Sequence, residues 1–426
     1  MKLHIDIDCF FVSAHRIDNK KYQNIPIAVG NRSNLSIFDI NSEKKDFSMI
    51  DGAFTSSIVS DNQNKSFEEY FIDKNKKMKG IITTSSYEAR KYGIKTTMSV
   101  KEALRLCPHL IVLPPNYKLY HDISHKFKLL LEKEIPQIEQ FSIDEFFCDL
   151  CGWVSDDDIY DFALRLKNKI FQELSLPVSI GISNSKWIAK LATEDAKPYG
   201  IRYIKDEDIY NYTKDKSISE FPGIGKAYQN RLKKYNISTL GQIRSNKKLF
   251  YSWGKFGIQL YNRVCGTDNE KILLNQDKKS IGLGRSFEPL YNREELKRRI
   301  IILSRHLCFI ANKDNHSPLT YALQITYQYQ NKNKSYINTN REFNELYLKQ
   351  QMILLFDKID THPTHGVVQI NLTLSNFKKS KHITMDILNY EEDNKMKKLS
   401  DSMHKLRDKF GIDIIKSAEE IKNNNR

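Results

Sequence analysis

Hydrophobic and polar positions along the chain divide it into segments of distinct character. From Lys2 to Asp8, Leu3, Ile5 and Ile7 alternate with His4, Asp6 and Asp8, which predicts a half-buried strand carrying acids on one face. Residues 31–79 are rich in Asn, Ser, Lys and Asp, with short apolar islands such as FSMI and IVS, and read as an inserted loop with little structure. Between about 80 and 205, helical spacing alternates with strand-like runs, the signature of an α/β or α+β body. Residues 217–265 turn helical and basic, and NEKILLNQDKKS at 269–280 has no period and reads as a tether.

The stretch 279–377 resolves further. The run KSIGLGRSF predicts a strand, and Leu296, Ile300, Leu303, Leu307 and Ile310 then recur at helical spacing. Two strands follow, TYALQITYQYQ and SYINTNREF, then a helix with Leu348, Met352, Leu355 and Ile359 in register, then GVVQINLTLSNF. The order is βαββαβ. In the last strand Val368, Ile370, Leu372 and Leu374 are expected to face the helices, leaving Gln369, Asn371, Thr373 and Ser375 on the other side with Gln324, Thr326 and Gln328. Amides and hydroxyls on a sheet face suit phosphate and sugar oxygens, and they equally suit a merely solvated face.

Charge narrows the choice of partner. Lys and Arg number 67 against 52 Asp and Glu, a net +15, so a polyanion is favoured: nucleic acid first, an anionic membrane second. Apolar runs such as IIIL at 300–303 fall far short of the roughly 20 residues that span a bilayer. The amino end reads as a strand with acids rather than a secretory signal, so a cytoplasmic protein is expected. Six cysteines in 426 residues make no disulfide framework and are expected as reduced thiols.

Two acidic clusters, IDID at 5–8 and SIDEFF at 142–147, sit among apolar β-forming residues, where carboxylates are costly unless paired or metal-bound. Each alone is ordinarily a turn or cap feature. Together Asp6, Asp144 and Glu145 can hold two divalent ions, and all-oxygen ligands favour Mg²⁺ over zinc. Two such ions about 4 Å apart serve an in-line phosphoryl displacement, which points to nucleotidyl transfer. In TTSSYEARKYG, Thr84, Tyr87 and Arg90 offer two hydroxyls and a guanidinium for phosphate oxygens, and Lys197 in NSKWIAKLATEDAKPYG adds a point charge. In EFPGIGK, Pro222, Gly223, Ile224 and Gly225 make a hairpin opening onto a basic helix, whose free amides can hold a duplex phosphate without reading sequence. The CxxC of Cys148 and Cys151 has no second pair in zinc spacing, and His121 and His125 lack the glutamate of a metalloprotease helix.

The strings HIDIDCFF, PIAVG, TTSSYEARKYGIKTTM, FSIDEFF, GISNSKWIAKLATEDAKPYG, FPGIG and KSIGLGRSF, in this order, resemble the Y-family translesion DNA polymerases across about residues 1–30 and 80–377. The resemblance implies a multidomain α+β right-hand polymerase. Its expected parts are a palm (1–17 and 115–205), fingers (18–114, with the insertion at 31–79) and a helical thumb with a helix-hairpin-helix (206–270). A linker (271–280), a βαββαβ little finger (281–377) and a charged tail (378–426), with a helix-like stretch near 395–410, follow. It places the metal-binding, catalytic carboxylates at Asp6, Asp144 and Glu145, with the Ile7 carbonyl completing one shell, and leaves Asp8 structural. The incoming deoxynucleoside triphosphate falls to Phe10, Thr84, Tyr87, Arg90 and Lys197, with Phe11 as steric gate. Primer-template DNA falls to Gly223, Ile224, Gly225, Lys226, Arg285, Gln324, Thr326, Gln369, Asn371 and Thr373.

Two Mg²⁺ ions, replaceable by Mn²⁺, are the implied cofactors, and accessory damage-response proteins are possible partners, with no membrane. The segment Thr384, Met385, Asp386, Ile387 and Leu388 loosely resembles the peptide that bacterial polymerases insert into the sliding clamp. His15 stands where the family usually has Glu, Ser99 where Pro is common, and the insertion interrupts the route into the fingers. SIDEFFCDLCG looks closer to the polymerase V branch and IDIDCFF to polymerase IV. Two rival readings are a palm-type nucleotidyl cyclase and a non-catalytic DNA- or clamp-binding repair factor. The hairpin at 222–225 argues against the first, and the full carboxylate set with Lys197 argues against the second.

Overall fold

The computed structural model describes residues 1–39, 65–73, 75–274, 278–378 and 389–421. The chain forms two compact units, one built from residues 1–30 and 65–276, the other from 31–64 and 277–426. No described helix is long and apolar enough to cross a membrane. All six cysteines are free thiols.

The core of the first unit is a five-stranded sheet. Its strands are β1 (Lys2–Ile7), β5 (Gln137–Gln140), β6 (Glu145–Asp149), β7 (Val178–Ser183) and β8 (Ile201–Tyr203), in the order β5-β6-β1-β7-β8. Three helices frame it: α1 (Phe10–Asp18), α5 (Tyr117–Glu134) and α6 (Ile159–Leu174). Leu3, Ile5 and Ile7 are fully enclosed with Phe127, Phe146 and Ile180, so β1 turns its apolar face inward as its alternation requires. Helix α7 (Lys186–Ala196) packs on the same sheet, its N-terminus capped by the Ser185 hydroxyl, which accepts from the Ile188 amide at 3.3 Å. A Cβ at Gly181 would meet the Ala189 carbonyl oxygen at 2.0 Å, so glycine is what lets α7 lie so close to β7.

Where the resemblance places the fingers, the first unit holds a small sheet of β2 (Ile27–Asn31), β3 (Ile81–Ser85) and β4 (Ile111–Leu113), with α3 (Tyr87–Arg90) and α4 (Val100–Leu106). The expectation of little structure across 31–79 fails at its far end. There α2 (Phe67–Phe71) starts in a Ser66/Glu69 capping box, and Tyr70 and Phe71 are buried with Ala28, Ile82 and Val112. The islands named in the sequence, FSMI and IVS, lie outside the described residues. The thumb is helical: α8 (Ile209–Thr213), α9 (Lys226–Lys233), α10 (Leu240–Ser245), α11 (Lys247–Ser252) and α12 (Lys255–Cys265). It shares one core with Trp187, Ile188 and Leu191 of α7.

The second unit confirms the βαββαβ order: β9 (Ser280–Leu290), α13 (Arg293–Lys313), β10 (Pro318–Tyr327), β11 (Lys332–Asn338), α14 (Glu345–Ile359) and β12 (Val367–Phe377). The antiparallel sheet runs β11-β10-β12-β9, and both expected helix stripes are buried against it. One register expectation is wrong. A bulge between Val367 and Gln369 makes Val367 the buried residue in place of Val368, because an extra residue in one strand shifts the alternation by one.

Two additions complete this unit. Residues 33–38 group with it rather than with the fingers: Ile37 and Phe38 join its core, the Ser286 amide donates to the Ser33 hydroxyl at 3.0 Å, and Arg285 donates to the Asn34 carbonyl at 3.0 Å. They cover β9, which the sheet order leaves at an edge. The expected charged tail is, over its described part, a folded appendage. Helix α15 (Tyr390–Phe410) and turns at Ile412–Ile414 and Ala418–Glu420 dock through buried Arg305, Lys349, Glu345, Arg407 and Glu420.

Candidate active site

The antiparallel register of β1 and β6 sets Asp6 directly opposite Glu145, which places both side chains on the same face of the sheet. Asp6 is buried, and burial together with the nearby Asp144 and Glu145 holds its carboxyl well above the usual range despite the attraction of Lys197. Asp144 is also raised, chiefly by burial, although the Ser142 hydroxyl donates to it at 2.5 Å. Its backbone carbonyl accepts from the Ile7 amide at 3.1 Å, which ties the two acidic clusters together at the strand ends. Ile7 itself buries its side chain in the palm core, leaving only its backbone for a polar role.

The carboxylates that converge most tightly are Asp6, Glu145 and Glu194, one oxygen of each lying within 4.8 Å of the others. Asp144 stands beside this trio, close enough to act electrostatically on Asp6. Glu194 was not singled out in the sequence, although α7 carries Lys186, Lys190 and Glu194 at four-residue intervals, a spacing that sets them on one helix face. Lys186 binds Glu139 at 2.6 Å, Lys190 binds Glu145, and Lys197 reaches Asp6 at 3.2 Å and Glu194 at 2.9 Å. Burial works against the Lys197 charge, yet Asp6 and Glu194 outweigh it and raise the pKa. An all-oxygen, partly desolvated donor set fits a hard divalent cation.

Asp8 has a different task. Its carboxylate accepts from the Ser179 hydroxyl at 2.9 Å, the Tyr199 amide at 2.6 Å and the Tyr87 hydroxyl at 3.4 Å, so it anchors the loop after Lys197 to β7 and α3. Arg90 is exposed, lies 4.7 Å from the Tyr87 ring centroid and donates to the Ser85 carbonyl at 3.2 Å; Thr84 is half-buried on β3. Phe11 stacks on Tyr120, with centroids 4.3 Å apart and planes at 18°, while the Phe10 side chain is buried in the palm core and offers no ring to a ligand. His15 is hydrogen-bonded to the Tyr120 hydroxyl at 2.9 Å, and burial lowers its pKa to about 4.

In the thumb, Gly223 has φ +95° and Gly225 starts α9 without a side-chain cap, so backbone amides remain at the tip beside exposed Lys226. Ile224, by contrast, is buried in the thumb core, which restricts it to a backbone contribution. In the second unit Gln324 pairs with Asn371 and Thr326 with Gln369, and Thr373 continues the same face. Arg285 departs from it. The strand alternation puts it on the side of buried Ile281 and Leu283, and its guanidinium is engaged by the Asn34 and Gly284 carbonyls. Residues 384–388 lie outside the described residues.

The model of the impB/mucB/samB family matches residues 55–194. DNA polymerase IV of Alkaliphilus oremlandii is 30% identical over 360 residues, covering 80% of this chain and 89% of that relative. DNA polymerase IV of Bacillus anthracis is 25% identical over 426 residues, covering 98% and 93%. Among solved structures, a Y-family DNA polymerase chimera of Dbh and Dpo4 superposes with TM-score 0.70 at 21% identity, covering 90% of this chain and 99% of that one. An insertion ternary complex of Dbh DNA polymerase gives 0.56 at 20% identity, covering 88% and 98%. The chain belongs to the Y-family of translesion DNA polymerases.

Proposed function

We propose that this chain adds deoxynucleotides to a primer 3′-hydroxyl opposite a template strand, with low fidelity and past damaged bases, through the carboxylate cluster on β1 and β6. The observation that supports it is the Asp6–Glu145 register with Asp144 alongside, where acids outnumber the lysines that reach them. Asp6, Asp144, Glu145 and the Ile7 carbonyl would hold two Mg²⁺ ions, with Mn²⁺ a substitute, and the chemistry supplied there would be activation of the attacking hydroxyl and stabilisation of the leaving oxygen. No protein nucleophile is needed, because the substrate brings its own.

The chain's own groups bind and orient. Arg90, Tyr87, Thr84 and Lys197 take the triphosphate; Lys197 leaves its ion pair with Asp6 to do so. Phe11, backed by the Tyr120 ring, lies beneath the sugar and rejects a 2′-hydroxyl by collision rather than by weaker attraction. The amides at Gly223 and Gly225, with Lys226, grip a duplex phosphate, and Gln324, Thr326, Gln369, Asn371 and Thr373 face the DNA backbone. The segment 384–388 tethers the enzyme to a sliding clamp. Primer extension with Mg²⁺ tests the reading. Wild type is expected to extend, Asp144→Ala and Glu145→Ala are not, and equal product without divalent metal contradicts it.

A further inference from the structure

Two lysines of the Lys186, Lys190 and Lys197 series have evident tasks. Lys186 is enclosed with Glu139, both side chains 5% exposed or less, and serves as a structural pair. Lys197 is half-buried and shared between Asp6 and Glu194. Lys190 lies between them and is different. Its ammonium sits on Glu145 Oε1, 5.2 Å from the Phe141 ring centroid, with 13% of its side chain exposed and 17% of that of Glu145. A cation held by both a carboxylate and an aromatic ring in so dry a place has few other partners to visit. It engages one oxygen of a carboxylate that converges with Asp6 and Glu194, one oxygen of each lying within 4.8 Å of the others.

We propose that Lys190 is a positioning residue for Glu145. By fixing one carboxylate oxygen it sets the rotamer that keeps the other turned toward Asp6, so that the ligand is already aimed before an ion arrives. This rests on reading the cluster as an ion site. Partners that orient a metal-ligating group govern affinity and rate without touching the ion, and their loss typically costs about 10–100-fold.

The test uses the full chain without DNA or nucleotide, and Mn²⁺ as the probe, with free ion followed by electron paramagnetic resonance. Lys190→Met is expected to weaken Mn²⁺ binding about tenfold and to lower kcat for single-nucleotide addition about 10–100-fold, leaving KM for the deoxynucleotide within about twofold. Lys190→Arg, which restores a donor of the same charge, is expected to recover most of both. Should the methionine variant fail to fold, Lys190→Gln carries the same comparison. Binding as tight as wild type, or tighter, in the uncharged variant overturns the proposal if Asp6→Asn still abolishes binding. If Asp6→Asn also binds Mn²⁺ normally, it is the reading of the cluster that fails.

Discussion

Each unit of the chain buries a group of charges, and the two groups are balanced differently. In the second unit Arg305 meets Glu420 and Asp413, Lys349 meets Glu420 and Glu345, Arg407 meets Glu345, and Lys416 reaches Asp413 at 3.7 Å, so each acid is matched by at least one cation. There the cost of burying Glu345 is exceeded by bonds from Arg407 and Lys349, and its carboxyl is held below the usual range. In the palm, Asp6, Asp144, Glu145 and Glu194 have, among the described residues, the ion-pair partners Lys190 and Lys197 between them, and Asp6 and Asp144 are pushed up, mainly by burial. Balanced charge docks one segment on another. A shortage of positive charge marks a place for cations that the chain does not supply.

The contrast can be broken most severely in the palm. Asp6→Asn is expected to reduce single-nucleotide incorporation by at least about a thousandfold, measured in single turnover with saturating Mg²⁺. Phe11→Ala should leave incorporation of deoxynucleotides largely intact while discrimination against ribonucleotides falls, on the order of a hundredfold, in the ratio of kcat/KM values. In the balanced network the effect is on stability instead. Glu420→Gln leaves Arg305 and Lys349 short of a buried partner and is expected to cost about 3–5 kcal/mol in denaturant unfolding of the second unit. A loss as small as that of a surface pair, below about 1 kcal/mol, would mean the network is not holding the appendage.

A smaller effect separates the units by pH. His15 has a folded pKa of about 4 against an ordinary value near 6.5, so the unfolded chain binds the proton more readily and stability falls as pH drops through that interval. His15→Gln should flatten the acid limb of the first unit's stability curve by up to a few kcal/mol; an unchanged limb would place the loss elsewhere.

What could be read in advance followed from periodicity. The helix stripes of α13 and α14 repeat over several turns and identify their buried face unaided. The alternation of β1 put Asp6 on the face opposite Ile5 and Ile7, but the half-buried strand expected from it is wrong: His4, Asp6 and Asp8 are buried as well, which alternation with polar residues does not reveal. The bulge at Val367 left no signal, since a one-residue slip looks like unbroken alternation. Helix α15 was only partly legible because the face it buries carries Asp393, Ser400 and Arg407, and a hydrophobic pattern is blind to a seam made of ion pairs. Tyr70 and Phe71 were lost within the polar average of the insertion, although the Ser66–Glu69 capping box stood just before them. At the site, the separate motifs yielded Asp6, Asp144, Glu145 and Lys197 one by one. The four-residue spacing of Lys186, Lys190 and Glu194 was the unused signal that α7 lays a charged face along the carboxylates.

The shortage of positive charge in the palm is tested most directly by melting the full-length protein in chelator and then in millimolar Mg²⁺, for wild type and Asp6→Asn. If the cluster repels itself until cations arrive, the asparagine variant melts above wild type in chelator, and Mg²⁺ raises the wild-type midpoint while leaving the variant unmoved. A variant that melts below wild type without metal, and that gains as much from Mg²⁺, would contradict the account.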